Sequence, residues 1–568
     1  MLVNQNVYNI NYIIVYYKME SFDDLSSLVD YWFQDDVSKN WFDSTPEFDE
    51  IIKTKYSTLL IKYDISQMSN YSINYILDRY KLCLGLIILH DQIPRHIYRD
   101  HNNDNKEQIK KHLDDILDFT KTFYIKNQYD MKDEHFCFVM LPLRHTNNFD
   151  NIMFVIEETK LCIKNNKNNL LYKRFFKATL KRYIKLNDDK QNILLSNNND
   201  VITIINDENQ ICEKEFIQYH PLTFEELSKK IADNLVPAYI IEFIDNIIQN
   251  IKNNKIEHGI ISLSGGVDSI IMSYFLKFIG VNINAIHINY NNREECSDEC
   301  NILDKLCNFL NIKLYIRKII EINRKDMMEW NMRDLYESYT RDIRYNAYIH
   351  CVNDDEFGNN IFMGHNHDDQ FENIFTNIVS ESHYINLRGM KVKTTQKFKD
   401  KEINFIRPML DIPKEIIYKI ASYIGIPYFK DSTPKWSQRG KIRDCVRPQI
   451  EQWDNRAITS FFKLSDKLSD LMIITETITK NLAKQIKITK SYEINLDELE
   501  PKIFYELLFK HLEIQMTQKG IKVFYDKLQF IKMNKEKYNV NSIEKITLNK
   551  DNIIKWKNIS DMKIILFF

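Results

Sequence analysis

Apolar residues recur three and four positions apart through most of residues 20–185, and glycines are rare there. This spacing places the apolar side chains on one face of each helix, where neighbouring helices can bury them. It predicts an all-helical domain over 20–185, preceded by an extension at 1–19. Residues 186–257 begin with a stretch rich in Asn and Asp and then regain helical spacing, which indicates a linker and leading helices.

The pattern changes at residue 258. Short β-branched runs, "HGIISLS", "VNINAIHINY", "KLYIRKI" and "NNIFMGH", alternate there with segments of helical spacing. Such alternation predicts an α/β domain with a parallel, doubly wound sheet over 258–453. Right-handed crossovers bring the carboxyl ends of its strands to one edge. Residues 454–568 return to mostly helical spacing, with a small strand unit near the end.

Composition and charge narrow the setting. The chain has 568 residues, 44% of them apolar, enough for several cores. Nine cysteines occur without any CxxC pair, which favours reduced thiols in a cytoplasmic protein over a disulfide framework or a zinc ribbon. No run approaches the roughly 18 apolar residues of a membrane span, so no membrane association is predicted. Residues 501–568 carry 13 lysines against 7 acids, so this end could face RNA.

A Gly-Gly turn follows the first predicted strand, in "SLSGGVDSI" (262–270). Backbone N–H groups at a helix N-terminus favour an anion, and glycines leave room for phosphate oxygens. The alternative is a plain helix N-cap formed by Ser264 or Asp268. The turn lacks the lysine of a Walker A motif and the GxSxG of a nucleophile elbow. The predicted phosphate-binding residues are Ser264, Gly265, Gly266, Val267, Asp268 and Ser269.

A second polar segment, "GHNHDDQ" (364–370), follows another predicted strand and therefore lies at the same edge of the sheet. A carboxylate beside phosphates is repulsive unless a divalent cation bridges them, so Asp268 is predicted to hold a metal together with Asp368 or, alternatively, Asp369. The run also resembles the HxHxDH motif of dinuclear metallo-hydrolases. Gln370 stands where that motif requires a histidine, which disfavours such a hydrolase.

The loop at 264–269 matches the SGGxDS signature of the PP-loop ATP pyrophosphatases, and this resemblance implies a Rossmann-like domain that binds ATP with Mg²⁺. Over 258–453 the chain resembles the tRNA(Ile)-lysidine synthetases. Four further segments carry this resemblance in family order: "ESYTRDIRYNA" (337–347), "GHNHDDQFENIFTNIVSESHYINLRGM" (364–390), "FIRPMLDIPKEIIYKIASYIGIPYFKDST" (405–433) and "RGKIRDCVRPQIEQW" (439–453).

The resemblance implies a specific reaction. ATP would adenylate the C2 oxygen of the wobble cytidine in an isoleucine tRNA with a CAU anticodon, and the ε-amine of free L-lysine would then displace AMP. Asn366 and Asn373 depart from the family pattern, which leaves the nucleoside and the amine acceptor open. The catalytic residues implied are Asp268, His365, Asp368 and Asp369.

Arginines and lysines supply the remaining candidates. Arg344 and Arg407 are predicted to contact the nucleotide, with an exposed ion-pairing face as the alternative for Arg344. A basic cluster around Trp436 suits a splayed anticodon loop, with a solvated basic helix as its alternative. Its members are Lys435, Arg439, Lys441, Arg443 and Arg447.

Two other functions compete with the ligase. One is a PP-loop tRNA sulfurtransferase, against which the lack of a CxxC pair counts. The other is a non-catalytic RNA-binding scaffold with a decayed loop, against which the intact residues 264–269 and 368–370 count.

The amino-terminal domain resembles a second family, the tetratricopeptide-like helical proteins of undefined function known as DUF924. The resemblance rests on "DYWF" (30–33), "WFDSTPEFD" (41–49), "LIILHDQIPRHIYR" (86–99) and "LPLRHTNN" (141–148). Helical arrays present grooves suited to a protein partner. Polar residues within these helices line a pocket or form a buried ion-paired network, with the network favoured: His90, Asp91, Arg95, His96, Arg144 and His145.

Overall fold

The computed structural model of the protein describes residues 22–41, 44–99, 103–187, 194–195, 221–292, 296–354, 358–380, 387, 389–398, 401–429, 438–454, 456–514, 516–547, 553–560 and 563–567. The predicted extension at 1–19 and most of the predicted linker lie outside these ranges, as do Lys435 and Trp436.

Helices fill the described part of the amino-terminal domain, as the three-and-four spacing predicts. Their apolar faces form a core that buries Trp32, Ile87 and Phe138. These helices are α1 Asp23–Trp32, α2 Asp35–Ser38, α3 Pro46–Lys62, α4 Asn70–Leu77, α5 Tyr80–Asp91, α6 Ile93–Ile97, α7 Asn103–Asn127, α8 Asp133–His145, α9 Phe149–Asn165 and α10 Leu170–Asn187.

A seven-stranded sheet organises the middle of the chain. Its strands are β1 Leu194–Leu195, β2 His258–Ser262, β3 Asn282–Asn289, β4 Leu314–Lys318, β5 Asn360–Phe362, β6 Lys393–Phe398 and β7 Lys401–Ile406. The strands lie in the order β1-β4-β3-β2-β5-β7-β6. The five inner strands β4, β3, β2, β5 and β7 run parallel, and β1 and β6 are antiparallel edge strands. The predicted α/β class with a mainly parallel sheet is therefore confirmed.

Helices cover both faces of this sheet. Successive strand residues point to opposite faces, so Ile260 joins one core and Ile261 the other. The helices of this part of the chain are α11 Phe224–Ala232, α12 Ala238–Asn253, α13 Val267–Phe278, α14 Cys296–Leu310, α15 Arg324–Glu329, α16 Arg333–Asp354, α17 His367–Val379, α18 Lys414–Ile424, α19 Gln438–Lys441 and α20 Arg447–Trp453, with a π-helical turn Ile442–Val446 between the last two.

The amino-terminal domain shares its core with the α15–α16 face of the sheet. Phe176 of α10 packs edge-on against Trp330 with ring centroids 6.2 Å apart. Lys173 donates a hydrogen bond to the carbonyl oxygen of Trp330 at 2.6 Å, and Lys167 forms an ion pair with Glu329. The two domains are therefore packed together as well as joined along the chain.

The carboxyl-terminal region contains more strand than its helical spacing predicts. After the long helix α21 Ala457–Thr489 comes a four-stranded antiparallel sheet with its own core. Its strands lie in the order β8 Ser491–Asn495, β11 Lys563–Phe567, β10 Ile553–Ser560 and β9 Ile543–Thr547. In strand β10, Ile554, Trp556 and Asn558 are buried while Lys555 is exposed. This alternation has the period of two that is typical of a half-buried strand. The remaining α-helices of this region are α22 Lys502–His511 and α23 Gln518–Met533.

Among the helices of the described ranges, none combines the length and the apolar character required to cross a membrane.

We predict that Trp330→Ala lowers the free energy of unfolding by about 3–5 kcal/mol, because it empties a buried position in the core that both domains share. Urea unfolding followed by circular dichroism measures this change. Trp453→Ala is the matched control, since that side chain is 81% exposed and its loss should have little effect. Equal effects of the two substitutions would contradict the shared core.

Candidate active site

The loop between β2 and α13 is held in shape by its own serine hydroxyls. The Ser264 backbone N–H donates to Oγ of Ser269 at 3.1 Å, and Ser269 Oγ donates to the Gly266 carbonyl oxygen at 3.0 Å. Ser269 is buried at 3% exposure. The sequence predicts that both serines contact phosphate. In the structure their hydroxyls bond to each other, 3.1 Å apart, and shape the loop from within.

The two glycines of this loop serve different purposes. Gly265 has φ of +83°, and a Cβ there would lie 2.9 Å from the ring of Phe429, so a side chain is excluded on both grounds. Gly266 has an ordinary φ of −71° and is the N-cap of α13. A Cβ on Gly266 would meet only Oγ of Ser264 at 3.6 Å, so the helix N-terminus is open on that side. Open space at a helix N-terminus suits an anion.

Asp268, in the first turn of α13, connects the loop to two distant segments. Its Oδ1 accepts a hydrogen bond from Nδ2 of Asn366 at 2.9 Å, and its Oδ2 forms an ion pair with Lys414, the first residue of α18. A Cβ on Gly364 would lie 3.0 Å from the Ser269 backbone nitrogen. The predicted meeting of residues 264–269 and 364–370 at one edge of the sheet is therefore confirmed.

Asn366 is buried at 2% exposure and organises the start of α17. Its side-chain oxygen accepts hydrogen bonds from the backbone N–H groups of Asp368 at 2.8 Å and Asp369 at 3.0 Å. The carboxylate of Asp369 accepts a bond from the Asn366 backbone N–H in return, completing a capping box. The departure from the family pattern at 366 is thus a helix cap whose amide nitrogen also fixes Asp268.

Helix α17 presents acids to the arginines that follow residue 437. Asp368 pairs with Arg447 at 2.8 Å, and Asp369 pairs with Arg439. Glu372 is buried at 4% exposure. It accepts from Arg439 at 2.7 Å and from Arg443 at 2.6 Å. Three of the predicted RNA-binding residues are therefore paired with predicted catalytic acids or with Glu372.

These ion pairs alter proton affinities. Burial opposes ionisation of Asp368, but hydrogen bonds from His367 and Arg447 outweigh it and lower the pKa of that carboxyl. Burial likewise disfavours the charged guanidiniums of Arg439 and Arg443, yet the nearby carboxylates of Asp369 and Glu372 raise the pKa of both. Asp368 and the arginines Arg439 and Arg443 are therefore ionised at neutral pH.

His365 lies at the end of β5 with Arg407. Nε of Arg407 donates to Nδ1 of His365 at 3.1 Å, so a neutral ring carries its proton on Nε2. Loss of solvent around the ring lowers the pKa of His365 to about 4, and the positive charges of Arg407 and Arg439 act in the same direction. At neutral pH this imidazole is uncharged and offers a hydrogen-bond donor.

The remaining predicted residues lie in different surroundings. Arg344 on α16 is half-buried beside tyrosines, and its guanidinium is 5.7 Å from the ring of Tyr345. Burial opposes its charge, but Tyr348, Tyr290 and Tyr345 raise its pKa. Lys441 is exposed.

The predicted metal ligands Asp268 and Asp368 pair with different cations, Lys414 and Arg447. Among the described residues no three His, Cys, Asp or Glu side chains converge as a metal cluster would.

Sequence reasoning missed Lys414 and Glu372 as site residues. Glu372 lies three residues after Asp369 on a helix, a spacing that places both on one face and could have been used. Lys414 had no local signal, because it is 146 residues from its partner Asp268.

Comparison with known proteins agrees with this architecture. Residues 240–452 match the family model described as a PP-loop domain, ATP_bind_3. The central part of the chain is a PP-loop domain. Residues 28–194 match the model of DUF924, a bacterial protein family of unknown function. The two matches occupy separate parts of the chain, as the two resemblances predict.

Curated tRNA(Ile)-lysidine synthases match the same central part of the chain. A tRNA(Ile)-lysidine synthase of Chlamydia muridarum is 28% identical over 195 residues, which is 34% of this chain and 57% of the relative. The enzyme of the same name from Chlamydia caviae is 29% identical over 202 residues, 35% of this chain and 60% of the relative. The chain thus spans less than two thirds of the length of these curated relatives.

Solved structures resemble the protein only in part. The U34-tRNA thiolase NcsA from Methanococcus maripaludis, with its iron–sulfur cluster, gives a TM-score of 0.32 at 20% identity, covering 40% of this chain and 78% of that one. The NH3-dependent NAD synthetase of Campylobacter jejuni gives 0.24 at 15% identity, covering 40% of this chain and 90% of that one.

We predict that substitutions of the two loop glycines affect different properties, chiefly stability at Gly265 and pyrophosphate binding at Gly266. Gly265→Ala should lower the free energy of unfolding by about 1–2 kcal/mol, because a Cβ at positive φ is strained and meets Phe429. Gly266→Val should lower the free energy of unfolding by about 1 kcal/mol, because φ is ordinary and space is open but valine is a poorer N-cap residue than glycine. The same change should weaken pyrophosphate binding by about tenfold or more, because the side chain occupies the anion position.

Thermal unfolding and titration calorimetry measure both quantities. Unchanged pyrophosphate binding by Gly266→Val would place the anion elsewhere.

We predict that the His365 ring titrates near pH 4 and that Arg407→Met moves its pKa upward, since a positive charge that disfavours imidazolium is removed. Histidine-selective NMR against pH measures both values. Arg341→Met is the control, because Arg341 is exposed on α16 and should leave the titration unchanged. A midpoint near 6.5 in the parent protein would contradict the solvent-shielded, uncharged ring.

Proposed function

We propose that this protein is an ATP-dependent ligase that modifies tRNA, and that its product is lysidine. The cytidine O2 attacks the α-phosphorus of ATP and pyrophosphate leaves. The ε-amine of lysine then attacks C2, and AMP leaves with the oxygen. The observation that carries the proposal is Asp268, which joins the loop at 264–269 to Asn366 and Lys414 within the part of the chain that matches the lysidine synthases.

The loop supports the nucleotide part of the proposal. Its backbone is shaped by internal serine hydrogen bonds, and the space beside Gly266 remains open at the N-terminus of α13. Phosphate oxygens bound there would meet backbone N–H groups and the positive end of the helix dipole. The leaving pyrophosphate is the part of ATP that such a loop fits best, because it carries most of the negative charge.

Magnesium fits the site with few protein ligands. Magnesium generally takes one or two carboxylates and completes its octahedron with phosphate oxygens and water. Asp268 and Asp368 would be those carboxylates, consistent with the lack of a three-ligand cluster in the described ranges. When bound there, the ion would offset the charge that develops on the leaving pyrophosphate.

Lys414 is then assigned a role in the same step. Without nucleotide its ammonium pairs with Asp268. Because an ammonium is a compact, mobile charge, it can turn from the carboxylate to a phosphate oxygen while Asp268 takes the cation. The ion pair therefore holds both groups ready, and each gains a new partner when ATP binds.

His365 is better suited to donating a hydrogen bond than to removing a proton. Its Nδ1 is occupied by Arg407, and its low pKa makes the ring a weak base. We infer that Nε2–H orients the cytidine or a phosphate oxygen. Proton removal from the incoming amine falls instead to a carboxylate such as Asp369, released from Arg439 when the RNA phosphates attract that arginine.

The arginines after residue 437 are proposed to be shared between two tasks. Arg439 and Arg443 are 53% and 39% exposed at the side chain while paired with α17. Guanidiniums with open edges can contact RNA phosphates without leaving the carboxylate entirely. Binding of the anticodon loop would thereby alter the acids beside the nucleotide.

The decisive assay combines purified protein, an isoleucine tRNA with a CAU anticodon, ATP, Mg²⁺ and labelled L-lysine. We predict labelled tRNA together with AMP and pyrophosphate. Asp268→Ala should abolish pyrophosphate release and leave tRNA affinity within about twofold, since the lost group is at the nucleotide. Lys414→Met should lower the turnover rate by about a hundredfold, as expected when a donor to developing charge is lost.

Lys419→Met is the matched control for Lys414→Met. It lies on the same helix, its ion pair with Glu415 is exposed, and its loss should leave turnover unchanged. Pyrophosphate release without incorporation of lysine would reject lysine as the acceptor and favour a sulfurtransferase. Absence of ATP turnover with every tRNA tested would reject the ligase and favour the scaffold.

A further inference from the structure

The amino-terminal domain gathers cationic side chains around a single carboxylate. Asp91, at the end of α5, is 1% exposed. It accepts hydrogen bonds from Arg95 at 3.0 Å, from Nδ1 of His145 at 2.9 Å and from the Gln92 amide. This bonding confirms that Asp91 belongs to an ion-paired network, the interpretation that the sequence favours. The network does not, however, include every cation that lies there.

Arg144 has no carboxylate of its own. Among the described residues it makes no ion pair or hydrogen bond, and its guanidinium stacks over the ring of Phe175 at 4.7 Å. Loss of solvent lowers the pKa of Arg144 to about 10, opposed by Asp91 and assisted by Arg95 and Arg182. Arg144 is half-buried, and a partly desolvated guanidinium without a direct ion pair or hydrogen bond in the described part of the chain is unfavourable, so the fold alone gives little reason to keep it there.

Arg182 of α10 completes the group from the other side. Its Nη2 donates to the His145 carbonyl oxygen at 3.3 Å and to Oδ1 of Asn147 at 2.7 Å. Its Nε is buried and has no hydrogen-bond partner in the described part of the chain, and the same is true of Nε of Arg95. Donor capacity is therefore left over on two arginines as well as on Arg144.

The charges around Asp91 do not balance. Arg95, Arg144 and Arg182 are cations, whereas His145 is neutral because burial lowers its pKa despite Asp91. Among the described residues, one carboxylate faces three guanidiniums in this group, which is a local excess of two positive charges. A phosphate monoester carries about two negative charges at neutral pH and three acceptor oxygens, which arginine forks match well.

We propose that Arg95, Arg144 and Arg182 form a binding site for the phosphate group of a small phosphomonoester, separate from the loop at 264–269. Asp91 holds Arg95 and His145 in position through the hydrogen bonds that it accepts from both. The ligand contacts the remaining donors of the three arginines. The side chains of Arg95 and His145 are 31% and 22% exposed, which gives a small anion access. An internal RNA phosphodiester carries one charge per phosphate and matches this excess less well.

The test uses the full chain with Gly266→Val, which blocks the loop so that phosphate binding reports on the amino-terminal domain. Inorganic phosphate is titrated at constant ionic strength, followed by calorimetry and by the unfolding temperature. We expect one saturable site. Arg144→Met should weaken it by about tenfold or more, as loss of a charged donor does. Arg174→Met is the control, because that arginine is exposed on α10.

A purely structural role for Arg144 gives the opposite result. If the arginine serves the ligand, the phosphate-free Arg144→Met protein unfolds at the same or a higher temperature, because a half-buried charge without an ion-pair partner among the described residues has been removed. A marked loss of stability without phosphate would overturn the proposal. Arg144→Lys is the second variant: it keeps the charge, loses the planar fork and should also weaken phosphate binding.

Other probes identify the chemistry. Acetate at the same ionic strength should not compete, and equal binding of acetate would replace phosphate by a carboxylate. A short RNA without terminal phosphates should also fail to compete, and competition by it would contradict a monoester site. No phosphate binding in the Gly266→Val protein would overturn the proposal outright.

Discussion

The carboxylate of Asp268 is the interaction on which the site depends. It lies in the first turn of α13, accepts a hydrogen bond from the buried amide of Asn366 and pairs with Lys414, and so connects three segments that are far apart in sequence. A carboxylate at the positive end of a helix is favourable by itself, which supports Asp268 at this position. The ion pair balances the charges of Asp268 and Lys414, and each group could exchange the other for a ligand or a cation.

Ion pairing of the same kind continues along α17. The acids predicted to act on the nucleotide and the arginines predicted to contact RNA are, in the free protein, each other's counter-ions. A buried acid such as Glu372 requires such partners, because an unpaired buried carboxylate is strongly unfavourable. In the proposed ligase, coupling of this kind would make RNA binding and nucleotide chemistry interdependent, since a phosphate that attracts Arg439 would also free Asp369.

The helical amino-terminal domain packs against the seven-stranded sheet. Trp330, between α15 and α16, is buried against Phe176, so the domain covers one face of the seven-stranded sheet. Its cation cluster lies around Asp91, in a different part of the chain from the PP-loop. A ligand there would act on a domain that shares a core with the sheet, which gives a physical reason for the two units to occur in one chain.

The sequence alone determined the helical amino-terminal domain and the parallel sheet, but not the four-stranded carboxyl-terminal sheet. Spacing of apolar residues predicted the helical domain and the parallel sheet, because burial imposes those periods, and parallel strands forced residues 264–269 and 364–370 to one edge. Only the tertiary structure decided the pairings. Lys414 meets Asp268 from 146 residues away, and Arg439 meets Glu372 from 67, and no local pattern encodes such contacts. Charge pairing depends on how helices pack, which sequence periodicity does not specify.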